Sequence, residues 1–258
     1  MIRCVHCNME NEPIFTYCLN CGKPLEQSLG GFKPRKPASG KGTSGCSLVA
    51  IRADGGTGEE YPLADGVNTV GTRGPEVVIR DDPRVDAEHA TLDIGRDIAF
   101  LEDLNTIHGT YVRVSGQRPL ADGDRLRIGH ALFEYRVSSQ VPPTTGDGSA
   151  LLGSLGTPND HYGRLLRLGP DDVPFEAFLL RPPEVFLGRS TGDILLADDP
   201  FVSSKHASFT WTGSGCVLKD AGSTNGCYFR IRGRTAVRDG DFVLVGHHLF
   251  QFHRAQEA

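Results

Sequence analysis

The sequence predicts an all-β protein that contains two copies of one sandwich or barrel fold. The chain has 258 residues, and its 32 glycines and 16 prolines indicate many turns between short strands. Apolar side chains recur at every second position in runs such as Phe209/Trp211 and Phe250/Phe252, which is typical of a strand with one buried face. An internal repeat then divides the chain into two similar halves.

The repeat has a fixed offset and needs no gap. Gly71 corresponds to Gly188, which sets the offset (188 − 71 = 117). The same offset places His89-Ala90 on His206-Ala207, Asp103 on Asp220, Gly109 on Gly226, Gly123-Asp124 on Gly240-Asp241, Gly129-His130 on Gly246-His247, and Phe133 on Phe250. Because turn glycines and core positions match over this length, we expect one domain at residues 46–137 and a second at 162–254.

Residues 1–27 carry two C-x-x-C units, Cys4/Cys7 and Cys18/Cys21. Four thiolates from two such turns complete a tetrahedral shell suited to Zn²⁺. So small a segment buries little apolar surface, and metal binding would supply its folding free energy. The pattern resembles the short zinc ribbons found at the ends of many bacterial proteins, and it predicts a zinc ribbon before the two domains.

Two segments without apolar periodicity separate these parts. Residues 28–45 are rich in glycine, serine, proline and basic residues, and residues 138–161 contain a Pro/Thr/Gly-rich run. Both are predicted to be linkers. Thr144, Thr145 and Thr157 in the second linker raise the hypothesis that a phosphorylated linker is captured within the same chain.

Composition restricts the classes of function. A formal net charge of −5 argues against a general nucleic-acid binder, and no apolar run approaches the length of a membrane span. The sequence after Met1-Ile2-Arg3-Cys4 has no apolar signal-peptide core, so we expect a cytoplasmic protein without a membrane partner. The remaining cysteines are interpreted as small apolar residues or free thiols; they are Cys46, Cys216 and Cys227.

The stretch from Leu187 to Tyr228 carries residues suited to phosphate recognition. It presents Gly188-Arg189, then Ser203-Ser204, then Asn225-Gly226, each at a turn between short apolar runs. The arginine guanidinium is a planar fork that matches phosphate oxygens, and hydroxyls add neutral donors. An asparagine amide is suited to holding a neighbouring peptide backbone.

In their order and spacing these residues, with His206, Asp220 and Ser223, resemble the forkhead-associated (FHA) domain. The resemblance implies a β-sandwich, rather than a barrel, whose loops at one end bind a phosphothreonine peptide. The fold expected for the whole chain is therefore all-β, with two FHA-like β-sandwiches in tandem preceded by a small zinc ribbon.

The resemblance also implies roles for individual residues. Those expected to contact the phosphopeptide are Arg189 and Ser203 at the phosphate, Ser204 at the phosphate or the peptide, and Thr224 and Asn225 at the peptide backbone. Those expected to shape the binding loops are Gly188, His206 and Gly226. His206 is not interpreted as a catalytic base, because the chain lacks a Ser-His-Asp arrangement on a strand-to-helix elbow.

The first copy departs from this pattern at three positions. Thr72 replaces Arg189, Asp86 replaces Ser203 and His108 replaces Asn225. A carboxylate beside a phosphate is unfavourable, since like charges a few ångströms apart repel by about 1–4 kcal/mol at a protein surface. We expect the first copy to fold without binding phosphothreonine, unless the neighbouring Arg73 reaches the site.

The sequence therefore predicts a non-enzymatic signalling adaptor whose second copy binds a phosphothreonine-containing protein, such as a Ser/Thr kinase or its substrate. The chain shows no P-loop, nucleophile elbow or paired-carboxylate arrangement, and a four-cysteine zinc shell has no open position for a substrate. The alternative is a nucleic-acid or transcription-associated regulator that acts through its zinc ribbon and is controlled by phosphorylation.

Overall fold

The computed structural model describes residues 2–3, 10–11, 43–52, 54–73, 76–80, 82–138, 161–169 and 171–255. These residues form strands joined by turns, bends and irregular loops and contain no helix, so the all-β prediction is confirmed for the described part of the chain. In the same residues no helix has the length and apolar character needed to cross a membrane. The predicted zinc ligands Cys4, Cys7, Cys18 and Cys21 lie outside the described residues, as does most of both predicted linkers.

Short strands connected by turns follow the repeat along the chain. Near the N-terminus β1 (Ile2–Arg3) pairs with β2 (Glu10–Asn11). The first copy contains β3 (Thr43–Ile51), β4 (Thr57–Ala64), β5 (Gly66–Gly71), β6 (Val77–Val78), β7 (Ala90–Ile94), β8 (Ala99–Asp103), β9 (Thr110–Arg113), β10 (Gln117–Leu120), β11 (Arg125–Ile128) and β12 (Ala131–Val137). The second copy contains β13 (Gly163–Leu168), β14 (Pro174–Leu180), β15 (Glu184–Gly188), β16 (Ile194–Leu195), β17 (Ala207–Trp211), β18 (Cys216–Asp220), β19 (Cys227–Arg230), β20 (Thr235–Val237), β21 (Phe242–Val245) and β22 (His248–Arg254).

These strands form two compact units, and each unit takes residues from both copies of the repeat. Unit 1 consists of Met1–Val112 and Ile231–Ala258, and unit 2 consists of Arg113–Arg230. The chain leaves unit 1 after Val112 and returns to it after Arg230. The last three strands of each copy, β10–β12 and β20–β22, are its closing strands, and they belong to the unit that contains the earlier strands of the other copy.

Unit 2 is a sandwich of two layers with five strands each. One has the order β14-β13-β12-β11-β19, and the other has the order β10-β18-β17-β15-β16. The pairings are antiparallel except for the short parallel pair β15–β16. Unit 1 repeats the arrangement, with the orders β9-β21-β22-β3-β4 and β20-β8-β7-β5-β6. An FHA-like β-sandwich was expected for each copy, and each unit has this form.

Strand register shows that the two copies exchange their closing strands, and this arrangement is called the exchange below. In unit 2, β11 of the first copy pairs with β19 of the second, with Leu126 opposite Phe229. In unit 1, β21 of the second copy pairs with β9 of the first, with Val243 opposite Val112. These units differ from the continuous domains expected at residues 46–137 and 162–254. The physical reason is the repeat itself, because the matching apolar positions of the two copies let either set of closing strands complete either sheet.

The buried core of unit 2 also comes from both copies. The largest fully buried side chains of its first-copy segment are Leu126, Ile128, Phe133 and Tyr135, and Phe209 lies among the buried residues of its second-copy segment. Full burial of one large apolar side chain contributes roughly 1.5–3 kcal/mol. Neither segment alone would retain this burial, so the two segments of a unit depend on each other for folding.

Candidate functional site

The predicted arginine and serines lie side by side at the end of strand β15 in unit 2. The backbone N–H of Arg189 donates to the carbonyl of Ser203 at 2.9 Å, and the N–H of Thr191 donates to the carbonyl of Ser204 at 2.9 Å. Gly188 permits this approach, because a Cβ there would collide with the Ser204 carbonyl. The loops after β15 and before β17 are thereby joined through their backbones.

The Asn-Gly corner closes on the same serine loop. The backbone N–H of Thr224 donates to the hydroxyl oxygen of Ser203 at 3.1 Å. The side-chain amide of Asn225 donates to the carbonyl of Phe201 at 2.8 Å. All five residues predicted to contact a phosphopeptide are therefore gathered at one end of unit 2.

Fully buried His206 braces these loops from beneath. Its Nδ1 accepts the backbone N–H of Ser203 at 3.0 Å, so the ring hydrogen lies on Nε2, which donates to the carbonyl of Gly226 at 3.1 Å. Gly226 has a φ of 83°, a left-handed conformation that suits glycine. A ring with both nitrogens engaged by backbone groups is suited to holding loops and not to transferring protons.

Asp220 organises the turn that leads into the Asn-Gly corner. Its Oδ2 accepts the Ser223 hydroxyl at 2.8 Å and the Cys227 N–H at 3.0 Å, and its Oδ1 accepts the Ser223 N–H at 2.7 Å and the Gly222 N–H at 2.9 Å. Partial burial raises the pKa of this carboxyl, but the hydrogen bonds outweigh burial and the net pKa is lowered. The ionised carboxylate thus fixes the loop.

The ligand atoms of His206, Asp220 and Cys227 lie within 4.8 Å of one another, which is close enough for a shared metal ion. Each imidazole nitrogen and each carboxylate oxygen of this cluster is already hydrogen-bonded to the protein. Burial, followed by the charge of Asp220, raises the pKa of the Cys227 thiol and disfavours the thiolate that binds metal. The cluster is therefore suited to supporting the loops rather than to holding an ion.

The exposed rim of the site is cationic. Arg189 is exposed, and within the described residues its guanidinium has no hydrogen-bond or ion-pair partner. Ser204, Thr224 and Asn225 are exposed beside it, and Ser203 is half-buried. An uncommitted guanidinium beside exposed hydroxyl groups is an arrangement suited to a phosphate dianion.

Unit 1 keeps the supporting network at its equivalent end. His89 accepts the Asp86 N–H at 3.2 Å through Nδ1 and lies 3.2 Å from the Gly109 carbonyl through Nε2. Asp103 accepts the Thr106 hydroxyl at 2.7 Å, as Asp220 accepts that of Ser223. The loop scaffold is preserved although the residues predicted to contact phosphate are replaced.

The replaced residues change the character of that end. Thr72 donates its backbone N–H to the Asp86 carbonyl at 3.0 Å, which repeats the Arg189–Ser203 bond. A threonine thus stands in place of the arginine, and a carboxylate stands in place of the serine hydroxyl. Asp86 and His108 are both exposed. A neighbouring apolar side chain, Ile107, is 75% exposed where the second copy has Thr224. At the three replaced positions unit 1 thus presents a carboxylate, an imidazole and no guanidinium.

Sequence reasoning missed two lysines beside the unit 2 site. Lys205 and Lys219 line a groove with Phe186, and the Lys205 ammonium lies 3.5 Å from the Phe186 ring centroid. At the offset of 117 the first copy has Glu88 and Glu102 in their places (205 − 117 = 88; 219 − 117 = 102). The offset of 117 that defines the repeat already shows this charge reversal. The reversal accompanies the replacement of Arg189 by Thr72 in the first copy.

Comparisons with known proteins agree with the duplicated pattern. A family model described as FHA domain matches residues 68–129 and 185–246, which confirms the prediction of two tandem copies. FHA domain-containing protein FhaA of Mycobacterium tuberculosis is 37% identical over 99 residues, which are 37% of this chain and 18% of FhaA. Glycogen accumulation regulator GarA of Mycolicibacterium smegmatis is 30% identical over 108 residues, which are 41% of this chain and 67% of GarA.

Among solved structures, a crystal structure of the FhaA FHA domain complexed with the intracellular domain of Rv3910 shares 29% identity with this chain. The match covers 34% of this chain and 94% of that chain, with a TM-score of 0.23. The chain thus spans less than a fifth of FhaA and about two thirds of GarA.

Proposed function

This chain belongs to the family of proteins with forkhead-associated (FHA) domains, and from that premise we propose that it is a non-enzymatic signalling adaptor. It binds phosphothreonine-containing proteins through the loop end of unit 2. Its partner is a Ser/Thr kinase or a substrate of such a kinase, and binding takes place in the cytoplasm.

One observation carries the proposal, namely the exposed guanidinium of Arg189 held beside Ser203 by a 2.9 Å backbone hydrogen bond. Phosphothreonine carries between one and a half and two negative charges near neutral pH and presents three acceptor oxygens. Arg189 supplies the charge and a bidentate fork, and the hydroxyls of Ser203 and Ser204 supply neutral donors.

The Asn-Gly corner supports recognition of a peptide rather than of free phosphate. Thr224 and Asn225 are exposed beside Ser203 and present polar groups to a peptide backbone. Because these contacts come from loops held by His206 and Asp220, the site is largely formed before the ligand arrives.

The relatives support a role in regulation. GarA is named as a regulator of glycogen accumulation, and the FhaA FHA domain has been crystallised with the intracellular domain of another protein.

For residues 1–27 the proposal is a Zn²⁺ ribbon bound by Cys4, Cys7, Cys18 and Cys21. Metal analysis of the purified chain tests this part, and loss of bound zinc in Cys4→Ser together with Cys18→Ser is the expected result.

The main test uses the full chain and a degenerate pool of phosphothreonine peptides with its unphosphorylated twin. The chain retains peptides from the first pool only, and the tightest binder then serves as a fluorescent probe. Arg189→Ala and Ser203→Ala each weaken binding by at least about tenfold, since a hydrogen bond to a charged group contributes roughly 1.5–3 kcal/mol.

Matched controls lie at the equivalent positions of the first copy. Thr72→Ala and Asp86→Ala leave the affinity for the phosphopeptide unchanged, because they alter unit 1. Circular dichroism of the four variants is the control for folding, and all four are expected to give the spectrum of the unaltered chain. Equal retention of the phosphorylated and unphosphorylated pools would refute the proposed function.

A further inference from the structure

We propose that the phosphothreonine site of unit 2 is held in its binding geometry by the first sequence copy, with Gly129 and His130 as positioning residues. This inference rests on the proposed function. It extends that function because Gly129 and His130 lie in the copy that lacks the phosphate-contacting residues.

The first copy acts on the site through the buried carboxylate of Asp199. Oδ2 of Asp199 accepts the backbone N–H of His130 at 2.7 Å, and Oδ1 lies 3.2 Å from the His130 Nδ1. Oδ1 also accepts the N–H of Phe201 at 3.0 Å. A carboxylate that is 7% exposed thus joins the turn between β11 and β12 to the loop that carries Ser203.

Two further contacts continue from Asp199 to the peptide-contacting residues. The His130 ring packs edge-on against Phe201, with centroids 4.3 Å apart. The carbonyl of Phe201 accepts the Asn225 amide, and Ser203 lies two residues farther along the loop. The Ser203 loop is therefore fixed by the first copy on one side and by the Asn-Gly corner on the other.

Unit 1 contains the same contact with the copies reversed. Asp82, which corresponds to Asp199 (199 − 117 = 82), accepts the His247 N–H at 2.8 Å and lies 3.1 Å from the His247 Nδ1. If each copy folded continuously, Asp82 would contact His130 and Asp199 would contact His247. The observed partners are the opposite ones, so the two arrangements make opposite predictions for single substitutions.

Two glycines give a matched pair of substitutions. Gly129 has a φ of 60°, and a Cβ there would lie 2.6 Å from Asp199 Oδ2 and 2.6 Å from Val202. Gly246 has a φ of 59°, and a Cβ there would lie 2.5 Å from Asp82 Oδ2 and 2.5 Å from Val85. The strain introduced by alanine is the same at both positions, so unfolding measurements report a similar loss for both variants. Only the loop that is displaced differs.

The experiment measures binding of the selected phosphothreonine peptide to full-length Gly129→Ala and Gly246→Ala. Gly129→Ala is expected to weaken binding by about tenfold or more, because overpacking shifts the Ser203 loop. Gly246→Ala is expected to stay within about twofold of the unaltered chain, as is usual for independent sites. Equal losses, or a larger loss in Gly246→Ala, would overturn the inference.

A milder pair covers the case in which a glycine variant fails to fold. His130→Ala removes the ring contacts with Asp199 and Phe201, and it is expected to weaken phosphopeptide binding several-fold, while His247→Ala does not. His130→Asn restores binding, because its amide supplies a donor to Asp199. A loss in His247→Ala that exceeds the loss in His130→Ala would contradict the exchange.

A third measurement tests the exchange without a peptide. A protease site inserted between Ser138 and His161 is cleaved in the folded chain, and the product is analysed by size-exclusion chromatography with mass detection. The two fragments remain together, because each unit needs a segment from both; separation into two folded fragments would overturn the exchange.

If no phosphopeptide binds the unaltered chain, the proposed function and the positioning role both fail. Normal binding by the unaltered chain, with a larger loss in Gly246→Ala than in Gly129→Ala, overturns the positioning role alone.

Discussion

The side-chain amide of Asn225 donates a 2.8 Å hydrogen bond to the carbonyl oxygen of Phe201. The sequence interpretation assigned Asn225 to the backbone of a bound peptide, and here its amide also holds the protein's own loop. An asparagine side chain has two N–H donors and an acceptor oxygen, so the two roles are compatible. The bond orients the amide and links the Asn-Gly corner to the Ser203 loop.

Replacing Asn225 should separate this orienting role from charge. Asn225→Ala removes the bond to Phe201 and is expected to weaken phosphopeptide binding by about tenfold, since a lost hydrogen bond costs roughly 1–3 kcal/mol. Asn225→Asp is expected to weaken it more, because a carboxylate then faces the phosphate and the Phe201 carbonyl. Fluorescence anisotropy of the selected peptide measures both, and His108→Ala at the equivalent unit 1 position serves as the neutral control. An Asp variant that binds better than the Ala variant would contradict this account.

The fork of Arg189 should matter more than its charge. Arg189→Lys keeps a cation but loses the planar pair of donors, so it is expected to recover only part of the binding lost in Arg189→Ala. Calorimetry at two salt concentrations provides the measurement, because binding through a point charge is more sensitive to screening than bidentate hydrogen bonding at short range. Full recovery by lysine would show that charge alone suffices.

The network retained in unit 1 predicts that phosphopeptide binding can be installed there. The triple variant Thr72→Arg, Asp86→Ser and His108→Asn places the unit 2 residues on loops still braced by His89 and Asp103. Calorimetric stoichiometry is expected to rise from one phosphopeptide per chain to two. The same variant combined with Arg189→Ala should bind one. A stoichiometry of one in the triple variant would indicate that the rest of the unit 1 rim, including Glu88, excludes phosphate.

Much of this molecule was predictable because its signals are local. The glycine-punctuated apolar runs predicted strands, and the resemblance of residues 187–228 to an FHA domain implied a common loop cluster that the fold assembles. The offset of 117 between equivalent glycines predicted the duplication (188 − 71 = 117). These inferences depend on short-range chemistry, on comparison of the chain with itself or on resemblance to a known family.

The exchange of closing strands was not predictable in the same way. Leu126 and Val243 are equivalent positions with equivalent partners, so no pattern in the sequence states which copy each will join. Repetition removes the information that would select one pairing. Asp199 was overlooked for a related reason, because its partner His130 lies in the other copy.

The ionised carboxylate of Asp220 should make the unit 2 site sensitive to acid. Its folded-state pKa lies below the ordinary value of 3.8, because backbone and hydroxyl donors favour the charged form more than burial disfavours it. A lowered carboxyl pKa contributes stability that is fully present above pH values near 4 and is lost as the pH falls through the folded-state pKa. Asp220→Asn, which removes one of the two acceptor oxygens, is expected to destabilise the fold by about 1–3 kcal/mol at pH 7. Urea unfolding at pH 7 and at pH 3 measures the effect, and the difference between variant and unaltered chain should shrink at the lower pH. A difference that grows as the pH falls would assign the loss to packing rather than to the charge of Asp220.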